Sequence, residues 1–209
     1  MNFQDCKCHG PNTDNELIVV EGLSAAANVR RARNADTQAV LALQGKPVNA
    51  AKASQARVES SIELQALKSA IGSGTQAQQQ LEAIRYKRIA LLFDPDADGI
   101  HCGALVQIYL HQYMPKLVDA GKLSLLRAPL FELTVPGFAE PLHAYSEQHY
   151  QKLLSHFKQN GISGYSSQRF KGVASLSVEL LRAKCLERAT RKEQPLGLQD
   201  TAIALRIFS

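Results

Sequence analysis

The chain has 209 residues, 45% of them hydrophobic and 21% charged, with a formal net charge of +5 and a pI near 9.1. That length holds one α/β domain with a substantial core and a smaller appendage, and the basic balance favours phosphate-bearing partners. There is no apolar run of about eighteen residues to span a membrane and no Gly-x-x-x-x-Gly-Lys-Ser/Thr loop for ATP, and no cleavable leader is expected ahead of the first strand.

In chain order, residues 1–15 are polar, broken by Gly10-Pro11-Asn12, and read as a loose lead-in. Cys6-Lys7-Cys8-His9 looks like half a zinc site, but Cys102 and Cys185 stand alone, so no second pair sits at ligand spacing. Residues 17–20 form a short apolar strand that ends in Glu21-Gly22, with Ser24 as the expected N-cap of a helix from Ala25 to about Arg33. Gln38–Leu43 reads as a second strand, ended by Gly45 and Pro47, and Asn49 as the cap of a helix at Ala50–Ala56. Ile62, Leu64, Leu67 and Ile71 make a helical stripe that stops at Gly72-Ser73-Gly74, and Gln76–Ile84 reads as a further short helix.

A strand at Ile89–Phe93 and a helix from Ile100 to Tyr113 come next, then strands at Lys122–Leu126 and Leu130–Val135. Beyond Val135 the pattern turns to loops and a helical tail. Residues 161–164 and 168–172 read as surface loops, and Arg182, Lys184, Arg188, Arg191 and Lys192 as a late basic helical stretch. That stretch is equally a phosphate-binding face or an ordinary solvated one. Alternating strands and helices predict an α/β fold with a parallel sheet covered on both faces.

The chemistry concentrates at Asp94-Pro95-Asp96-Ala97-Asp98-Gly99, directly after five apolar residues. Pro95 pushes Asp94 toward an extended conformation, so the strand delivers its acids to its carboxyl edge, where open α/β sheets place ligands. Carboxylates this close repel one another, and a hard divalent cation such as Mg²⁺ relieves that repulsion. An isolated Asp-x-Asp is more often a solvated acidic turn. Glu21 changes the balance, because neighbouring parallel strands would set it beside Asp94 and Asp96 as a metal and acid–base site for phosphodiester chemistry.

An ordered series of motifs then carries a resemblance. Asp5-Cys6, Glu21-Gly22-x-Ser24-Ala25, Arg33-Asn34, Gln38-Ala39-Val40-Leu41 and Gly45-Lys46-Pro47-Val48-Asn49 come first. Arg85-Tyr86, Asp94-x-Asp96-x-Asp98-Gly99-x-His101, Ala128-Pro129-Leu130-Phe131 and Arg169-Phe170-Lys171-Gly172 follow. Over nearly its whole length the chain resembles the TOPRIM domain, in the version found in the C-terminal half of the B subunit of bacterial type IIA DNA topoisomerases.

The resemblance implies a Rossmann-like TOPRIM domain over residues 15–129, after a lead-in at 1–14, with a loop and helical appendage at 130–209. It implies that Glu21 and Asp94 bind one Mg²⁺ and that Asp94 and Asp96 bind a second, with Mn²⁺ as a substitute. Asp98 matches a supporting acidic position, and Glu21, Asp94 and Asp96 would be the catalytic acids, Glu21 doubling as a proton shuttle. Lys46 and Asn49 fall where the family contacts DNA. His101 and Lys171 are further phosphate-contact candidates, against readings as a capping or packing histidine and a plain exposed lysine.

The implied partners are double-stranded DNA and a separate A-type subunit that bears the nucleophilic tyrosine, in the cytoplasm. Tyr86 abuts a buried strand and reads as structural. No ATPase module is matched, so no ATP site is expected. The chain also departs from the family: Leu23 stands for an aspartate, Ala26-Ala27 for a Gly-Gly pair, Gln44 for a lysine and Ser175 for a glutamate. Two functions follow, a metal-bearing half of a cleavage–religation enzyme or a stand-alone protein that binds or nicks DNA or binds a partner.

Overall fold

A computed structural model describes residues 2–10 and 12–208. Pro11, in the expected Gly10-Pro11-Asn12 break, lies outside them. The main sheet is built from β1 (Phe3–Gln4), β2 (Glu16–Glu21), β3 (Gln38–Leu43), β4 (Arg88–Leu92), β5 (Leu123–Arg127) and β9 (Lys192–Leu196), in the order β1-β3-β2-β4-β5-β9. Its four central strands, β3-β2-β4-β5, are parallel, and β1 and β9 run antiparallel along the edges.

Strands β2, β3 and β4 are apolar on both sides because both sides are covered. Leu17, Val19, Leu41 and Leu91 pack on one face with α3 (Ile62–Ile71) and α4 (Ala97–Tyr113). Ile18, Val20, Val40 and Leu92 pack on the other with α1 (Leu23–Ala32) and α7 (Val178–Leu181). A short α2 (Gln55–Glu59) and α5 (Pro115–Asp119) fill connections on the first side, where α8 (Leu198–Phe208) lies along α4. A second sheet, β7 (Leu142–Ala144), β6 (Phe131–Thr134) and β8 (Ser166–Arg169), covers α6 (Glu147–Gln159) through Phe131, Leu133, Ala144 and Phe157.

Several local readings shift. Gly22, not Ser24, is the N-cap of α1, which starts at Leu23. Helix α4 starts at Ala97, not Ile100, because the Asp96 carboxylate accepts the Gly99 N–H at 2.8 Å and caps it three residues earlier. Asn49 accepts the Ala51 N–H at 3.0 Å, which closes a turn instead of a helix at 50–56, and α2 begins after Ser54. Residues 76–84 hold two short 3₁₀ turns, Gln76–Gln78 and Leu81–Ala83.

The tail, read as loops and helix, also carries β7, β8 and β9. Residues 168–169, read as loop, belong to β8. The late basic stretch is not one helix: a π-helical turn at Arg182–Leu186 follows α7, and Lys192 opens β9. Arg191 in particular is buried, donating to Glu16 at 2.7 and 2.9 Å and to Glu193 at 2.7 Å, so it holds the fold and offers nothing to phosphate. Tyr86 is also fully buried and donates its hydroxyl to Asp5 at 2.6 Å; burial, and then that bond, push its pKa far above the ordinary range. No helix among the described residues is long and apolar enough to cross a membrane.

Candidate functional site

The parallel pairing of β2 with β4 runs from Glu16 opposite Arg88 to Val20 opposite Leu92. Glu21 therefore ends its strand beside the turn that carries Asp94, Pro95 and Asp96 into α4. That turn depends on Gly99, where a Cβ would lie 2.2 Å from the Asp94 carbonyl oxygen. Only a glycine lets the first turn of α4 rest on the Asp94 backbone.

Electrostatics links these acids. Burial raises the Glu21 carboxyl above its ordinary range, and Asp94 and Asp96 raise it further while Lys46 opposes them. Burial raises Asp94 too, opposed by the Val173 N–H and reinforced by Asp96. Asp98, exposed on α4, is held below the usual carboxylate range by Lys46, whose ammonium donates to it at 2.6 Å.

The three aspartates are each already engaged. Asp94 accepts the Val173 N–H at 2.7 Å, Asp96 caps α4, and Asp98 holds Lys46. Among the described residues no three His, Cys, Asp or Glu side chains converge as a ready ligand set. The donor chemistry nevertheless fits a hard divalent cation: Glu21, Asp94 and Asp96 offer only carboxylate oxygens, and burial together with the neighbouring acids disfavours the charged form of Glu21 and Asp94, which a bound cation would offset.

The segment 170–176 closes over Asp94. Phe170, Val173 and Leu176 are buried against the α1 side of the sheet, and Asn28 on α1 donates to the Val173 and Leu176 carbonyls at 3.0 and 2.8 Å. Ser175 accepts the Lys171 N–H at 3.0 Å and donates to the Gly172 carbonyl at 2.7 Å. Gly172 sits at φ +141°, and a Cβ there would lie 2.3 Å from the Asp94 carboxylate. The loop touches the acid only because this residue has no side chain.

The DNA-contact candidates divide into two groups. Lys46, on the loop after β3, pairs with Asp98; Lys171 is exposed and lines a cleft of about 370 Å³ with Asp96 and Arg169. Asn49 is committed elsewhere, donating to the Phe208 carbonyl at 2.8 Å, and His101 stacks on the Phe208 ring at 5.3 Å. Both therefore anchor the end of α8. Asn28 and Val173 are site residues that sequence reasoning passed over, and Arg169 and Gly172 entered it only within a motif, with no role assigned. Asn28 did leave a signal: it is the one polar residue on the buried face of α1, among Ala25, Ala26, Val29 and Ala32.

Comparison with known proteins adds to this geometry. A family model, the Toprim domain, matches residues 16–125, which include every candidate acid but not the 170–176 loop. Over 209 residues the chain is 36% identical to the B subunit of a novobiocin-sensitive DNA gyrase of Streptomyces niveus, covering 99% of this chain and 30% of that protein. It is 35% identical over 209 residues to the DNA gyrase B subunit of Streptomyces coelicolor, with the same shares, 99% and 30%. It is 31% identical over 205 residues to that of Archaeoglobus fulgidus, covering 98% of this chain and 31% of that protein. The chain thus spans about a third of the length of these relatives.

Proposed function

The chain belongs to the Toprim family, and from that premise we propose that it is a divalent-metal-dependent, DNA-binding unit of topoisomerase type. In this reading residues 15–129 are the metal-bearing domain and residues 130–209 an appendage that closes over it. Glu21, Asp94 and Asp96 hold Mg²⁺, or Mn²⁺ in its place, with Asp98 supporting the site. The ion would stabilise charge on the scissile phosphate and the leaving oxygen. Glu21, raised above its ordinary range, would also hold or pass the proton of that oxygen.

The observation that carries the reading is the delivery of Glu21 and of Asp94 and Asp96 to one edge of the sheet by two paired parallel strands. Lys46, Lys171 and Arg169 stand on the same side as cations for the DNA backbone. The nucleophilic tyrosine would come from a separate A-type subunit, as the resemblance implies, and Tyr86, buried against Asp5, would remain structural. The working place is on DNA in the cytoplasm, and ATP binds elsewhere than on this chain.

One observation favours a reduced role, in which the chain binds or slowly nicks DNA on its own. Ser175, standing where the family carries an acid, knots the 170–176 loop in its position on Asp94. Incubation with supercoiled plasmid and Mg²⁺ separates the two. Alone, the chain should give no ATP-dependent change in topology and at most slow nicking. With a gyrase A-type subunit it should give covalent tyrosine-linked breaks, increased by Leu23→Asp, Gln44→Lys and Ser175→Glu. If neither the mixture nor the restored variant cleaves, the cleavage role falls and the binding role stands.

A further inference from the structure

At the other end of the sheet, where β2, β3 and β4 begin, lies a polar cavity of about 730 Å³. Strands of this length put it roughly 15–20 Å from the acids. Arg33, Arg88, Arg182 and Arg188 line it, against Asp14, Glu16 and Glu187.

The acids do not simply cancel the arginines. Glu16 is taken up by the Arg191 guanidinium at 2.7 and 2.9 Å and by the Gln38 amide at 2.8 Å. Glu187 is exposed at the rim. That leaves Asp14, which accepts from Arg88 at 2.8 Å and from Arg188 at 3.1 and 3.2 Å, with Lys87 at 3.7 Å. Arg88, and then Arg188 and Lys87, hold its carboxyl below the usual range. The Asp14 side chain is 64% exposed on a turn, so little holds it there besides these cations.

Two further features describe a site that wants more acceptors than it has. The Arg88 Nε is buried with no hydrogen-bond partner among the described residues, and the Glu16 carboxylate lies 3.8 Å from it. Arg182 is anchored at the cavity wall by donating its Nε to the Ala32 carbonyl at 2.9 Å. A carboxylate offers two oxygens and one charge to this set, whereas a phosphate group offers at least three oxygens and up to two charges, matched to arginine forks.

We propose that this cavity binds a small phosphate-bearing anion, a phosphate monoester or a diphosphate, which displaces Asp14 and takes over its contacts with Arg88 and Arg188. Its volume is that of a small-ligand pocket, and its concave form at the edge away from the acids suits a compact ligand better than a duplex. The site is independent of the metal-dependent function proposed above.

Calorimetry with inorganic pyrophosphate tests this, in EDTA so that no cation at the acids takes part. The chain should bind pyrophosphate; Arg188→Ala, in an exposed turn where folding is not at stake, should weaken it about tenfold, and Asp14→Asn should tighten it. A 20-base-pair duplex in excess should leave pyrophosphate binding intact. Absence of binding, indifference to both substitutions, or displacement by the duplex would each overturn the proposal, the last by making the cavity a DNA contact.

Discussion

The Asp94 carboxylate accepts the Val173 N–H at 2.7 Å, so the acid in the turn that follows β4 is held by an amide 79 residues further along the chain. The contact joins the appendage to the candidate metal site and fixes the orientation of Asp94. It also means that a cation at Asp94 competes with a hydrogen bond already made.

Gly172→Ala should open this contact. The new Cβ would meet the Asp94 carboxylate at 2.3 Å, and φ at +141° is strained for any side chain. We expect a loss of about 1–3 kcal/mol in urea unfolding and faster hydrogen exchange at the Val173 amide. Unchanged exchange there would mean the loop does not rest on Asp94 in solution.

Arg191→Ala tests a reassigned residue. With the arginine side chain 0% and Glu16 2% exposed, removing one partner strands a buried charge and should cost about 3–5 kcal/mol. DNA affinity of the folded fraction should be unchanged. A small loss of stability with a large loss of DNA affinity would restore the phosphate-contact reading.

These two residues show what the sequence displays and what it hides. Strands β2, β3 and β4 were legible because they are buried on both faces and read as apolar runs, and their terminal acids stood out against them. Strand β9 was not, because Lys192-Glu193-Gln194-Pro195-Leu196 has no alternation; Pro195 suits only an edge, and the strand is held there by pairing with β5 and by the Arg191 cluster. The closure over Asp94 was hidden for another reason. Its donor is a backbone N–H, which leaves no mark in the identity of Val173. Asn49 and His101 were legible as polar residues near the acids, but their engagement by Phe208 comes from the distant α8, whose packing on α4 no local pattern announces.

Glu21→Gln should reverse its effect on stability with metal. A carboxyl whose pKa is raised on folding contributes stability at low pH that is lost as pH rises through the folded value. In metal-free protein at neutral pH the ionised Glu21 is therefore a burden, and Glu21→Gln should melt higher than the parent. The difference should fade as pH falls to the ordinary glutamate range, and Mg²⁺ at neutral pH should stabilise the parent more than the variant. A variant that melts lower in EDTA at neutral pH would contradict the crowding of these acids.

Lys46→Ala should weaken duplex binding at every sequence tested and flatten the dependence of log affinity on log salt by about one unit. The ion pair with Asp98 predicts a second effect: Asp98→Ala should strengthen binding by freeing the ammonium. Unaltered salt slopes in both variants would remove Lys46 from the DNA interface.

Mn²⁺ binding followed by electron paramagnetic resonance tests most directly whether Glu21, Asp94 and Asp96 hold a divalent cation. The parent chain should bind Mn²⁺ weakly alone and more tightly with duplex DNA, whose phosphate oxygens complete the coordination. Asp94→Ala should abolish this binding in both conditions. Mn²⁺ binding that survives Asp94→Ala unchanged, or no binding by the parent even with DNA, would contradict the account.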